Sequence, residues 1–197
     1  TPDYGKLKQM FQVIQFHKHQ ELLKQILETG TVTAPLTIQF SFDREFEEVE
    51  LVNFLCYTGN LTIDQADMGL VRFKIPNRVI EKLYWNFYAE IIQQQAEVSS
   101  QVFALSNAIL EMAKTGNYEP FMELVKKVLK GLSNRDKIQF NEKQIKMILL
   151  AYLMIVDTFD VRSEREVQAG YPDIMLLQKP NTIINYEYII ELKYLKK

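Results

Sequence analysis

Two charged residues near the end of the chain have the types and spacing to do chemistry. The run Ile189-Ile190-Glu191-Leu192-Lys193 places two charges in a segment that otherwise has the apolar composition of a buried central strand. Because strand side chains alternate between faces, Ile190 and Leu192 are predicted to face a core, and Glu191 and Lys193 share the other face. A buried carboxylate there needs compensation by a metal ion, the Lys193 ammonium or solvent.

A second carboxylate, Asp173, begins the strand before Glu191 in a predicted hairpin. Antiparallel neighbours bring the two acids side by side, where they repel each other unless a cation lies between them. Mg²⁺ or Mn²⁺ fits, since hard cations take carboxylate oxygens and keep several waters, and the Leu192 carbonyl adds an oxygen. Lys193 reaches the same side and is placed to hold the attacking water and stabilise charge on a phosphate. The alternative is a solvated ion pair between Glu191 and Lys193.

A helix from Asn141 to about Val156 precedes these strands and carries another candidate acid, Glu142. Asn141 and Gln144 have the spacing of a capping box. Glu142 lies three residues before the apolar Ile145, which predicts its carboxylate on the buried side, at the edge of the apolar face. The alternative is an acid in the first turn that is stabilised by the helix dipole.

The remaining pattern predicts an α+β protein in two parts. The C-terminal part, residues 133–197, has the order helix, strand, strand, strand, with strands at 161–167, 174–177 and 184–195. Residues 132–140 are a polar linker and the predicted boundary. In residues 1–132, helices are predicted over 1–30, 46–59 and 77–131 and strands over 31–33, 36–40, 61–63 and 70–75. The helix followed by a hairpin resembles a winged-helix module, and a small α+β subdomain is the alternative.

Composition excludes several classes of protein. Hydrophobic residues make up 47% and charged residues 24% of the 197 residues, which is typical of a folded globular chain. No run approaches the roughly 18 apolar residues of a membrane helix, so we expect no membrane partner. The single cysteine, Cys56, excludes an intramolecular disulfide and fits a reducing, cytoplasmic compartment.

A net charge of −2 requires any nucleic-acid binding to use a local basic patch. The candidate patch lies close to the predicted boundary and has the alternative of being the solvated face of an amphipathic helix. Its members are Lys126, Lys127, Lys130, Arg135 and Lys137.

Three features follow one another along the chain: a helical Glu142, then Gly170-Tyr171-Pro172-Asp173, then an apolar strand ending in Glu191-Leu192-Lys193. This ordered set resembles the PD-(D/E)xK nuclease superfamily. The sequence around these residues resembles one branch of the superfamily, the C-terminal nuclease-like domain of bacterial proteins that carry an N-terminal AAA-ATPase-like domain. Residues 54–63 and 73–77 resemble the connecting region of those proteins.

The resemblance implies roles for individual residues. Asp173 and Glu191 would be metal ligands, together with the Leu192 carbonyl, and Lys193 the catalytic lysine. Glu142 would be an auxiliary acid or a metal ligand through water, and Glu164 is a further candidate.

The resemblance also implies partners. ATP would bind only in an AAA-ATPase-like domain outside this chain, and the substrate would be nucleic acid, DNA in preference to RNA. A homo-oligomer is compatible with the sequence. The opening at Thr1 without Met suggests a piece of a longer protein, and the end at Lys197 leads us to expect an incomplete nuclease core.

Two other functions stay open at this point. The nuclease-like fold could be a non-catalytic module that binds nucleic acid or protein, or that regulates the attached ATPase. The helical region over residues 77–131 could instead act as an interaction scaffold, in which case it would carry an extensive exposed apolar surface.

Overall fold

The computed structural model describes residues 5, 9, 11, 19–40, 43–98, 102–136, 141–163 and 172–193. This part of the chain has six helices and two three-stranded antiparallel sheets, so the predicted α+β class is confirmed. The chain divides into two compact units, Thr1–Phe87 and Tyr88–Lys197. The predicted division into residues 1–132 and 133–197 stays a prediction.

The first unit is built around one small sheet. Gly30 ends the first helix in the left-handed conformation at φ 69°, as the sequence predicts. Alternate residues of the central strand, Val71 and Phe73, are buried. The strand order is β1-β3-β2, and the elements are α1 (Gln20–Thr29), β1 (Thr31–Pro35), α2 (Glu48–Tyr57), β2 (Thr62–Asp67) and β3 (Leu70–Lys74).

The predicted hairpin of the first unit is confirmed, with a tighter turn than the sequence suggests. Strands β2 and β3 pair as far as Asp67 and Leu70, so the turn is only Met68 and Gly69. Both turn residues have positive φ, at 48° and 81°, as a two-residue hairpin turn with right-handed twist requires. The strand predicted over residues 36–40 is wrong, because β1 ends at Pro35 and nothing pairs with the residues after it in the described sheet.

The second unit contains most of the helical mass and the second sheet. Helix α4 packs on α5 and α6, and α6 packs on the first strand of the sheet. The strand order is β4-β5-β6. The elements are α3 (Arg78–Gln95, which begins in the first unit), α4 (Val102–Thr115), α5 (Glu119–Asp136), α6 (Glu142–Ile155), β4 (Asp160–Ser163), β5 (Ile174–Leu177) and β6 (Tyr188–Ile190).

The helical region differs from the prediction in two places. The helical region predicted over 77–131 consists of three helices, with breaks after Gln95 and Thr115. The predicted linker begins inside α5, because Leu132 is 5% exposed and extends the buried face of that helix. Gly131 therefore does not end the helix. It permits a close approach, since a Cβ at this position would lie 2.3 Å from the Ala96 carbonyl oxygen.

The predicted helix and three strands of the C-terminal part are confirmed in order and type. β5 has the predicted bounds, whereas β6 is shorter than predicted and covers only Tyr188–Ile190. β4 begins at Asp160, and the predicted continuation over 164–167 lies outside the described residues. Within the described parts of the chain, no helix is long and apolar enough to cross a membrane.

Candidate functional site

The pairing of β5 with β6 determines how the two candidate acids are placed. Ile174 pairs with Ile190, and the same antiparallel register continued by one residue puts Asp173 opposite Glu191. Both residues lie just beyond the paired strands, at one end of the hairpin. Residues opposite each other on antiparallel strands are close enough for their side chains to interact. The register therefore agrees with the predicted juxtaposition of the two acids.

The exposure of β6 changes the argument for Glu191. β6 is at the edge of the described sheet and is not the central strand that the sequence suggests. The predicted alternation of side chains is present, because Ile190 and Leu192 are half-buried whereas Ile189, Glu191 and Lys193 are exposed. Ile189 is 67% exposed. Because Glu191 is exposed, its carboxylate pays no large desolvation cost, and no metal is needed to compensate for one.

Asp173 is the acid whose position is held by specific contacts. Its Oδ2 accepts a hydrogen bond of 2.8 Å from the Leu192 backbone N–H. Its side chain is 24% exposed. This bond ties the start of β5 to the segment that carries Glu191 and Lys193. The contact involves the N–H of Leu192, whereas the sequence reasoning invoked the carbonyl of that residue.

Lys146, which the sequence reasoning did not select, contacts the same carboxylate. Its Nζ lies 3.8 Å from Asp173 Oδ1, and its side chain is only 11% exposed. The signal was available in the sequence, because Lys146 is a charge within the apolar run Ile145-Lys146-Met147-Ile148 of a buried helix. A charge in an apolar run needs a partner, and this holds for Lys146 as it does for Glu191.

The N-terminus of α6 has the predicted cap but exposes Glu142. Asn141 Oδ1 accepts a hydrogen bond of 2.8 Å from the Gln144 N–H, and Gln144 Oε1 accepts one of 3.2 Å from the Asn141 N–H. The capping box is therefore confirmed. The expected buried position of the Glu142 carboxylate is wrong, because Glu142 is exposed and the buried residues of this helix begin at Lys146. Glu142 lies one turn before Lys146, on the same side of α6.

The described part of the basic patch lies on α5. Lys126, Lys127 and Lys130 are exposed, and Lys126 pairs with Glu123 at 2.6 Å. This hydrogen-bonded pair lowers the pKa of Glu123 and raises the pKa of Lys126. The side chain of Arg135 and the whole of Lys137 lie outside the described residues, as does Glu164.

The donor set at the hairpin end fits a hydrated hard cation. Among the residues that the structure describes, no group of three or more His, Cys, Asp or Glu could hold a metal ion. Asp173 and Glu191 offer two carboxylates, and Mg²⁺ is commonly bound by one or two carboxylates while keeping several waters. A zinc-type site with three or four protein ligands is not formed by these residues.

Comparison with known proteins gives one similarity, and it lies in the C-terminal segment. No curated protein and no solved structure matches the chain. Residues 140–197 match the family model of the PD-(D/E)XK nuclease superfamily. Nucleases of this superfamily act on nucleic acid and generally depend on divalent metal ions. The described candidate residues Glu142, Lys146, Asp173, Glu191 and Lys193 all lie within the matched segment. The last part of the chain is therefore similar to the PD-(D/E)XK nucleases.

Proposed function

We propose that residues 140–197 form a metal-dependent nuclease domain that hydrolyses phosphodiester bonds, with DNA preferred to RNA as substrate. One observation carries the proposal furthest. Inside the segment that matches the nuclease superfamily, the Asp173 carboxylate accepts a hydrogen bond of 2.8 Å from the backbone N–H of Leu192, which lies between Glu191 and Lys193. An acid, a second acid and a lysine are thereby brought to one end of one hairpin.

The proposed roles follow from position and chemistry. Asp173 and Glu191, with the Leu192 carbonyl, would hold Mg²⁺ or Mn²⁺, and the ion would supply Lewis acidity at the scissile phosphate. Lys193 is exposed next to Glu191 and holds the attacking water or the anionic phosphate oxygens. Glu142 is an auxiliary acid. Water attacks the phosphorus directly, without a covalent enzyme intermediate; the bond from phosphorus to one ester oxygen breaks, the water loses a proton to solvent, and the departing sugar oxygen takes up a proton and leaves as a hydroxyl group.

The proposal extends to the partners of this domain. Lys126, Lys127 and Lys130 present exposed ammonium groups along α5 and are the proposed contacts to the phosphate backbone. The upstream resemblance supports an AAA-ATPase-like domain in the same cytoplasmic bacterial protein, with ATP bound there. It leaves open whether that protein forms a homo-oligomer.

Two observations favour a second candidate, a nuclease-like module without catalytic activity. Glu191 and Lys193 are both exposed, which suits a solvated ion pair. Lys146 already compensates part of the charge of Asp173. A module of this kind would bind nucleic acid or protein, or regulate the attached ATPase, without cutting.

A cleavage assay separates the two candidates. The full chain is incubated with plasmid DNA and with single-stranded RNA, in Mg²⁺, Mn²⁺ or EDTA. The variants are Asp173→Asn, Glu191→Gln and Lys193→Met, and Glu48→Gln, an exposed acid on α2, is the matched control.

We expect metal-dependent cutting of DNA that each site variant reduces by about 100-fold or more and that the control leaves unchanged. Equal cutting by the wild type and all three site variants would refute the proposed site. Binding of DNA by the wild type without cutting in either metal would favour the non-catalytic module.

A further inference from the structure

Among the described residues of the second unit, Lys146 is a buried charge that the proposed mechanism does not use. The residue is 9% exposed and lies in α6 among side chains that are buried and apolar, including Met147 and Ile148. Removing an ammonium from water is costly unless an anion compensates for it. A lysine retained at this position therefore needs a negatively charged neighbour.

The neighbour is Asp173, and the geometry of the contact is informative. The distance of 3.8 Å between Lys146 Nζ and Asp173 Oδ1 is within the range of an ion pair but too long for a direct hydrogen bond. The other oxygen, Oδ2, is taken by the Leu192 N–H at 2.8 Å. The two oxygens of Asp173 thus have different neighbours. Oδ2 bonds the backbone of Leu192, and Oδ1 lies near the ammonium of Lys146.

We propose that Lys146 is a positioning residue of the metal site, acting through Asp173. It holds the carboxylate oriented at the end of the hairpin, and its positive charge limits how tightly that carboxylate binds a divalent cation. The inference rests on the proposed function, because it assigns Asp173 to a metal. It adds a helical lysine that is distinct from Lys193 and that lies near Oδ1 of Asp173, the oxygen that does not bond the Leu192 N–H.

The sign of the effect on metal affinity follows from electrostatics. A cation bound to Oδ1 would share that oxygen with the ammonium of Lys146, and like charges at such distances repel. Replacing Lys146 by an uncharged side chain should therefore tighten Mg²⁺ binding. A lysine with a purely structural role would leave the affinity for Mg²⁺ unchanged, apart from any loss of folded protein.

The test measures Mg²⁺ binding to the full chain by isothermal titration calorimetry, with cleavage of DNA as a second readout. The variants are Lys146→Met and Lys146→Gln, which remove the charge, and Lys146→Arg, which keeps it. Lys143→Met is the matched control, since Lys143 is an exposed lysine on the same helix. Asp173→Asn identifies the binding signal that belongs to the site, and thermal unfolding reports the folded fraction of each variant.

We expect Lys146→Met and Lys146→Gln to bind Mg²⁺ about tenfold tighter or more than the wild type. We also expect kcat for DNA cleavage at saturating Mg²⁺ to fall by about tenfold or more, with KM for DNA little changed. Lys146→Arg should restore most of both properties. The use of two neutral variants and one charged variant keeps the test decisive if one of them folds poorly.

Three results would bear differently on the two proposals. Equal Mg²⁺ affinity in the wild type and the neutral variants overturns the role of Lys146, even if the wild type cuts DNA. Tighter Asp173-dependent Mg²⁺ binding in the neutral variants, without any cutting by the wild type, supports the role of Lys146 and overturns the nuclease proposal. No Asp173-dependent Mg²⁺ binding in the wild type overturns both.

Discussion

The two candidate carboxylates differ in how strongly the fold depends on them. Asp173 has a side chain that is 24% exposed, bonds the Leu192 N–H and lies beside the buried Lys146. Glu191 is exposed at the end of an edge strand. Loss of the proposed activity in an Asp173 variant would thus have two sources, the loss of a proposed ligand and a disturbed hairpin, whereas a Glu191 variant tests the proposed ligand alone.

This difference predicts unequal effects on stability. Asp173→Ala removes the acceptor of the Leu192 N–H and the anion next to a buried ammonium, so we expect a loss of about 1–3 kcal/mol in the free energy of unfolding. Glu191→Ala should change it by less than about 0.5 kcal/mol. Urea unfolding followed by circular dichroism measures both. Equal losses in the two variants would show that the Asp173 contacts contribute nothing specific.

A buried tyrosine of α6 makes the second unit sensitive to alkali. Tyr152 is 5% exposed, and burial raises its pKa to about 12, partly offset by a hydrogen bond with Gln93. A folded pKa above the unfolded value of about 10 stabilises the fold below pH 10, and this contribution is lost as the pH rises towards 12. Between pH 9 and 12 the wild type should therefore lose about 2 kcal/mol that Tyr152→Phe does not lose.

Urea unfolding of the wild type and of Tyr152→Phe at several alkaline pH values tests this prediction. The relevant quantity is the difference between the two proteins, because burial also raises the pKa of Tyr84 and of Tyr188, which titrate in both. A difference that does not vary with pH would show that Tyr152 ionises as easily in the folded chain as in the unfolded chain.

At the scale of elements, the contact of α5 with the end of α3 depends on one missing side chain. Gly131 lies inside α5, and a Cβ there would meet the Ala96 carbonyl oxygen at 2.3 Å. Backbone atoms have little freedom to move away from such an overlap. The glycine is therefore explained by the distance between two segments of the second unit and not by any feature of the helix itself.

Gly131→Ala separates this explanation from helix propensity. In a helix without the close contact, alanine for glycine should stabilise by about 1 kcal/mol. Here we expect a destabilisation of about 2–4 kcal/mol, because the helix must shift. Ser133→Ala, an exposed position in the same helix, is the matched control. Thermal unfolding of the two variants provides the comparison, and a stabilised Gly131→Ala would contradict the close approach.

At the scale of the whole molecule, a net charge of −2 gives DNA no general attraction to the chain. Binding must come from a local patch, and the described candidates are the exposed Lys126, Lys127 and Lys130 of α5. Lys126 is already paired with Glu123, which reduces what it can offer to a phosphate. The patch is therefore expected to give modest affinity that depends strongly on salt.

Replacing these three lysines by glutamine should weaken DNA binding equally for all sequences and lower the slope of log K against log salt by about 2–3. Lys114→Gln, an exposed lysine of α4, is the control. Fluorescence anisotropy with labelled duplexes between low and moderate salt measures the slope. A slope unchanged by the triple substitution would show that α5 does not contact the backbone of DNA.

The sequence alone determined what depends on local pattern. Four features were predictable because capping and apolar periodicity act over a few residues. They are the helix capped by Asn141, the strand Ile174–Leu177, the helix end at Gly30 and the order helix, strand, strand, strand. Asp173 and Glu191 could be paired from sequence for the same reason, since a hairpin of neighbouring strands has few registers.

The tertiary structure decided what depends on contacts between distant segments. Only the sheet order shows that β6 lies at the edge of the sheet formed by the described strands, where Glu191 is exposed and needs no compensation for burial. Only packing explains Gly131, whose role depends on Ala96. Lys146 is 27 positions before Asp173 in the sequence, and only the fold brings its ammonium to that carboxylate. A local pattern shows that a charge needs a partner, and the three-dimensional arrangement determines which residue the partner is.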